Sequence, residues 1–382
     1  MKIVVLGAGI GGLTAALALS RRGRAVEVIE SAPEIRAVGA GIWVPPNAMR
    51  VLDELGVGEA VRGAGIPLER ITVMDHRERE LMVVRGEELV ARFGSRTISI
   101  RRASLHEILA AALPAGALKL GKECVGVSAK GERVVVELRD GAQHECDLLV
   151  AADGLRSVTR GAIFPRRDLR YSGQTCFRGI STMTLPAPIA RASAEVWGAG
   201  VRLGASPVGP RDVYWYTTVP LRAGSALAND EAMALLRERF AAFPRWVREI
   251  FEAVEPSHVI QTDLSDLEPG DDWVRGRVAL LGDAAHATTP NLGQGAAMAI
   301  EDGFVLAREL EGAPIDEALR AYVEKRRARV RFIVTTSWRL GKVSEWTNPI
   351  ACAARDFLMR SIPSGARARQ LEDIYAGPAN RS

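Results

Sequence analysis

The run Gly276–Phe304, GRVALLGDAAHATTPNLGQGAAMAIEDGF, decides how this chain is read. Val278 to Leu281 is a short apolar stretch that stops at Gly282-Asp283, the pattern of a buried parallel strand ending at a site. A loop of small residues passes through Pro290 into Gly293-Gln294-Gly295. Ala296, Ala297, Ala299 and Ile300 then open a helix expected to end near Gly312. A strand, a glycine-rich loop and a helix N-terminus together aim free backbone N–H groups and a positive dipole end at one ligand. Asp283, at the end of the strand, is suited to accept hydrogen bonds from sugar or polyol hydroxyls.

A second such unit opens the chain. Ile3 to Leu6 is a β-branched apolar run followed by Gly7-Ala8-Gly9-Ile10-Gly11-Gly12 and a helix over Leu13 to Arg22. Gly7, Gly9 and Gly12 fill the GxGxxG pattern in its strand–turn–helix setting, with Gly11 inside the same turn. The first glycine permits the tight turn, the second lets a pyrophosphate approach the backbone, and the third lets helix and strand pack closely. Ala25 to Ile29 reads as the next strand, and Glu30 stands where a carboxylate would bond adenosine ribose hydroxyls.

The Gly276–Phe304 run resembles the second FAD motif of the group A flavoprotein monooxygenases, the para-hydroxybenzoate hydroxylase type. The resemblance implies FAD rather than NAD in the Rossmann unit. It gives Asp283 to the ribityl chain and Pro290, Gly293, Gln294 and Gly295 to the isoalloxazine, whose developing negative charge a helix N-terminus suits. Asp153-Gly-Leu-Arg-Ser-Val-Thr-Arg160 is similar to the family's DG motif, which implies a role for Asp153, with Arg156 and Arg160, toward FAD and NAD(P)H. Arg102, with Leu105 three residues on, resembles the family arginine at the ribityl–phosphate region. Gly39-Ala40-Gly41 resembles the segment that passes over the flavin, or is a glycine-rich connector.

From Tyr171 to Pro269 the nucleotide motifs stop. Glu195 to Ser206 and Val213 to Pro220 alternate like two strands of a hairpin. If Ser206 pairs with Tyr214, then Arg202, Gly204, Ser206, Tyr214, Tyr216 and Thr218 share one face. Arg202 and the Tyr214 level then lie ~13 Å apart, room for a flat ring. The spacing of Arg202, Pro207, Tyr214 and Val219-Pro220 resembles the bacterial FAD-dependent urate hydroxylases, implying that Arg202 and Tyr214 contact substrate. The GDAAHATTPNLGQGAAMAIED run also resembles zeaxanthin epoxidases.

The expected fold is α/β, a Rossmann-type FAD-binding domain interleaved with a β-sheet substrate domain and followed by C-terminal helices. The expected division is 1–73, 97–170 and 271–340 for FAD, 74–96 and 171–270 for substrate, and 341–382 for the helical end. Ile71–Asp75 and Glu80–Val84 read as a hairpin, and Ser104 with Glu107 as a capping box for the helix beginning at Ala103.

Composition narrows the partners. The net charge is +4 with a pI near 9.0, but the basic residues are dispersed. The one dense run, Lys325-Arg326-Arg327 with Arg329 and Arg331, reads as a solvated helix face, so no nucleic-acid partner is expected. Cys124, Cys146, Cys176 and Cys352 form no CxxC pair, which points to a reducing compartment and no structural zinc. No apolar segment approaches the roughly 20 residues of a membrane span. The chain enters a strand at Ile3 without a leader, so a cytoplasmic enzyme is expected.

The family resemblance implies an NAD(P)H- and O2-consuming monooxygenase that hydroxylates an aromatic or heteroaromatic small molecule through a flavin C4a-hydroperoxide. The alternatives are an epoxidase of an alkene-rich lipid and a flavin reductase or dehydrogenase that inserts no oxygen. A halogenase is disfavoured because Tyr214–Pro220 lacks the WxWxIP pattern, and a non-catalytic FAD-binding module is the last rival.

Overall fold

A computed structural model describes residues 1–35 and 40–378. The dinucleotide half is a six-stranded sheet in the order Val274–Arg275, Val278–Leu280, Leu148–Ala151, Lys2–Leu6, Ala25–Ile29, Leu118–Lys119. All neighbours run parallel except the first pair, which is a hairpin. Leu6 stands beside both Ile29 and Ala151, and Ala151 beside Leu280, so the motif-bearing strands end at one level. A parallel sheet binds ligands outside the carboxyl ends of its strands, and this register gathers Gly7, Glu30, Asp153 and Asp283 there. Apolar strands, the helices Ile10–Arg21 and Gly295–Glu309 packed against each other, and the three-stranded sheet Cys124–Lys130, Arg133–Leu138 and Gln143–Cys146 make the larger core.

The other half is a seven-stranded sheet in the order Ile260–Asp266, Arg170–Thr182, Asp212–Pro220, Arg202–Pro207, Ala192–Trp197, Arg70–Asp75, Glu80–Arg85. Its two faces differ by strand parity. Val213, Trp215 and Val219 point into a second core with Phe240 and Phe251 from the helices Asn229–Arg239 and Arg245–Glu252. Tyr214, Tyr216 and Thr218 therefore point the other way, toward the dinucleotide half. Ser206 pairs with Tyr214, the register on which the expected face rested. The expected long strand over Glu195–Ser206 is instead two strands, because Gly198–Val201 turns the chain between Trp197 and Arg202.

Other boundaries shift for local reasons. The chain joins the seven-stranded sheet at Arg70, before residue 74. Residue 340 lies within the 30-residue helix Ile315–Ser344. The helix at Arg102 is capped by Arg101 with no side-chain bond, leaving Ser104 and Glu107 inside it rather than as a capping box. A further helix, Ser364–Tyr375, follows Pro349–Arg360.

The basic run at 325–331 is not a solvated face throughout. Arg326 is buried, donating to Asp302 Oδ1 at 2.7 Å and Glu301 Oε2 at 2.6 Å, while Arg329 grips both Glu301 oxygens at 2.7 and 2.9 Å. Asp302 Oδ2 accepts from the Gly282 N–H at 3.1 Å and lies 2.6 Å from His286 Nε2. Burial alone would raise the Asp302 carboxyl, but His286 and Arg326 outweigh it and hold the pKa at about 2, below the ordinary 3.8. This stabilisation is complete above the ordinary value and is lost as pH falls from about 4 toward 2.

Arg326→Met leaves two buried carboxylates short of a partner and is expected to cost about 3–5 kcal/mol in urea unfolding. Asp302→Asn is expected to flatten the stability profile between pH 4 and 2. An unchanged acid profile in that variant contradicts the assignment.

Candidate active site

The fingerprint glycines divide by what surrounds them. Gly7 has φ +99°, and a Cβ there would meet the Ala152 carbonyl oxygen at 2.5 Å. A Cβ on Gly12 would meet the Gly7 oxygen at 1.9 Å, so close helix–strand contact excludes any side chain. A Cβ on Gly9 would meet nothing within 4 Å. The space before Gly9, at the start of the Ile10–Arg21 helix, is thus open to a ligand lying against the backbone.

Glu30 closes one end of a cavity of about 560 Å³ shared with Gly7, Gly9 and Asp153. Its carboxylate is fixed by the N–H groups of Ala8 and Ala32 at 2.7 and 2.8 Å. Asp153 accepts from Ser157 Oγ at 2.6 Å and Thr159 N–H at 3.0 Å, so it builds its own turn as well as facing the cavity. Buried Arg160 donates to the carbonyl oxygens of Leu155 and Ala284 and braces that turn against the Asp283 segment; Arg156 is exposed.

A second cavity, of about 470 Å³, lies where the two halves meet. One wall carries Gly9, Gly11, Gly12, Arg102, Asp283, Pro290, Gly293 and Gly295. Asp283 has no side-chain hydrogen bond among the described residues. Its carboxylate opens to the cavity; desolvation by the atoms crowded around it raises its pKa, against the influence of His286, Arg102 and Arg160. The Arg102 guanidinium likewise has no hydrogen-bond partner there; burial, then the nearby charge of Arg178, lowers its pKa. Gln294 differs from expectation in where it points. Its side chain is buried away from the cavity, accepting from Asn47 Nδ2 at 3.0 Å. Gly39 lies outside the described residues, but Gly41 is required small, since a Cβ would meet the Tyr214 side chain at 2.5 Å.

The opposite wall is Trp43, Cys176, Arg178, Tyr214, Tyr216 and Thr262. Tyr214 is where the alternation places it. Arg202 is not on this wall: it is 1% exposed and spends its guanidinium on Glu195, Thr218 and Asn291. Asn291 belongs to the Pro290–Leu292 turn of the glycine loop and also donates to Thr289 and Ser337, so Arg202 ties the seven-stranded sheet to that loop. Arg178, which pairs in register with Tyr216, supplies the wall's guanidinium, with one long bond to Thr262 at 3.4 Å. Its only signal in the sequence is an arginine alternating out of a buried strand, QTCFRGI.

Burial pushes both phenols well above their ordinary pKa, with Glu195 adding to the shift at Tyr216. Tyr216 donates to Glu195 Oε2 at 2.7 Å, which leaves its oxygen free to accept.

These residues fit FAD. An open backbone approach at Gly9, a fixed Glu30, and the unpartnered Asp283 and Arg102 are the groups a dinucleotide with a polyol chain would occupy. Residues 1–337 match the family described as FAD binding domain. The chain belongs to that family. The aurachin C monooxygenase/isomerase of Stigmatella aurantiaca is 36% identical over 95% of each chain. The 2-heptyl-3-hydroxy-4(1H)-quinolone synthase of Pseudomonas aeruginosa is 35% identical over 99% of this chain and 98% of its own. The crystal structure of Klebsiella pneumoniae HpxO complexed with FAD and uric acid superposes with a TM-score of 0.91 at 32% identity, covering 99% and 97% of the two chains. The group A resemblance and the α/β fold are thereby borne out, and the chain is an FAD-dependent oxidoreductase.

The glycines supply a discriminating test. Gly9→Ala is expected to keep the unfolding midpoint of the parent while FAD retention on gel filtration falls. Gly12→Ala is expected to lose both, and equal behaviour of the two variants contradicts the division drawn from their surroundings.

Proposed function

We propose that this protein is a monooxygenase that consumes NAD(P)H and O2 to hydroxylate a flat nitrogen heteroaromatic bearing a ring carbonyl or hydroxyl. Bound FAD would carry electrons from the nicotinamide to O2, and the protein's own residues do the rest. The observation that carries this reading is the composition of the 470 Å³ cavity, with FAD-type groups on one wall and a guanidinium with two neutral phenols on the other.

Arg178 offers charge-assisted hydrogen bonds to a ring oxygen, favouring its anionic form. Tyr214 presents a hydroxyl without a hydrogen-bond partner among the described residues, and Tyr216 an accepting oxygen. Trp43, held by its Nε1–H to Ser206 Oγ at 3.1 Å and packed at Gly293, closes the side of the cavity and keeps water from the reacting face. Arg202 works as a positioning residue through Asn291.

The relatives favour this substrate class. One full-length relative is named for a 4(1H)-quinolone, and HpxO is described with uric acid. Both molecules are nitrogen heterocycles carrying oxygen on the ring. The expected FAD and substrate halves, meeting at this cavity, and a cytoplasmic location complete the proposal.

The test is NAD(P)H oxidation by FAD-loaded protein with hydroxyquinolines, quinolones, urate and hydroxybenzoates, following peroxide and product mass together. A ligand that accelerates oxidation and gains one oxygen atom supports the reading. Acceleration that yields peroxide alone with every ligand returns the reductase alternative. Arg178→Gln is expected to raise KM by roughly 10-fold or more, the loss of one charged hydrogen bond, with flavin content unchanged. Tyr214→Phe is expected to lower coupling of oxidation to product.

A further inference from the structure

The helix Pro349–Arg360 is packed with its polar side inward. Arg355 and Asp356 are buried, 3% and 9% exposed, and Arg355 donates to Asp356 and the Gly198 carbonyl oxygen while lying 5.1 Å from the Trp197 ring centre. Ile350, Phe357 and Leu358 face outward at 80%, 63% and 63% exposure. At 3.6 residues per turn these three fall on one side, opposite Cys352 and Met359, and Trp346, 40% exposed, precedes them by a turn. A helix on a soluble surface normally shows the reverse pattern. A row of large apolar side chains left outside marks a surface that something covers.

The charges nearby indicate what. Between Trp346 and Gln370 the charged residues are Arg355, Asp356, Arg360, Arg367 and Arg369. The first two pair with each other. Arg360, Arg367 and Arg369 form no ion pair among the described residues, and the next acids are Glu372 and Asp373. A second copy of the chain would set this positive segment against itself with no unpaired acid on the helix to answer it. Lipid phosphates supply the missing charge, and the headgroup boundary takes the apolar row.

We propose that the Pro349–Arg360 helix docks this protein in the plane of an anionic lipid surface. Ile350, Phe357 and Leu358 enter the headgroup–acyl boundary, and the exposed Arg360 and Arg369 meet the phosphates. No helix among the described residues is long and apolar enough to cross a membrane, so the contact lies along the surface.

The experiment is flotation of the full FAD-loaded chain with vesicles of phosphatidylcholine alone and of equimolar phosphatidylcholine and phosphatidylglycerol. The protein is expected to rise with the anionic vesicles. Phe357→Ser with Leu358→Ser is expected to cut the bound fraction by about tenfold or more, with flavin spectrum and thermal midpoint unchanged. Ile350→Ser gives a smaller loss as an independent variant, and Arg360→Gln weakens the salt-sensitive part. Absence of binding to either vesicle overturns the proposal, as does binding that the serine variants leave intact. A dimer seen by light scattering and dissolved by the same variants overturns it too, because the face would then belong to a second copy.

Discussion

The buried ion cluster of Glu301, Asp302, Arg326 and Arg329 is the constraint on which the site depends. Its formal charges cancel, and each carboxylate oxygen has a donor or His286 beside it. That balance is what makes four ionised groups tolerable in the interior. The cluster also has direction. Asp302 takes the Gly282 N–H, Arg326 reaches the Met298 carbonyl oxygen, and Glu301 holds Asn47, which holds Gln294. The strand end, the glycine loop and the helix at Gly295 are therefore set relative to one another by groups that never touch a ligand.

Strand parity does the corresponding work on the opposite wall. One face of the seven-stranded sheet is spent on a conventional apolar core around Trp215 and Phe251. The other face is then forced to carry Arg178, Tyr214 and Tyr216 toward the dinucleotide half. The seven-stranded sheet is tied to the glycine loop through Arg202 and Asn291, and through Trp43, which bonds Ser206 and lies against Gly293, so the two sides of the cavity are mechanically linked.

Much of this was legible in the sequence because it is local. Gly7, Gly9, Gly12, Glu30 and Asp283 lie in short strand–turn–helix runs, and alternation gave the shared face of Tyr214, Tyr216 and Thr218 once Ser206 was set opposite Tyr214. What was not legible depends on partners far along the chain. Arg326 looks like one of a solvated group until helix packing brings it to Asp302, and Arg202 looks like a substrate contact until Glu195 and Asn291 surround it. Gln294 sits inside a recognisable motif, yet its amide belongs to Asn47. Motif membership fixed these residues' neighbourhood, while side-chain direction was decided by tertiary partners.

The order of the strands bears on how the protein acquires its cofactor during synthesis. The glycine fingerprint is complete by Gly12, but the strand Val278–Leu280 that lies beside Leu148–Ala151 is made far later. So is the helix whose Gly303 packs against Ala15, where a Cβ would meet that residue's backbone at 2.7 Å. At translation rates of roughly 5–20 residues/s, about 15–60 s separate the two ends of the FAD site. For that interval the emerging chain holds a half-formed cradle with an uncovered fingerprint helix. The cavity that the two ends of the chain line is therefore closed only after the chain has been made through Gly303.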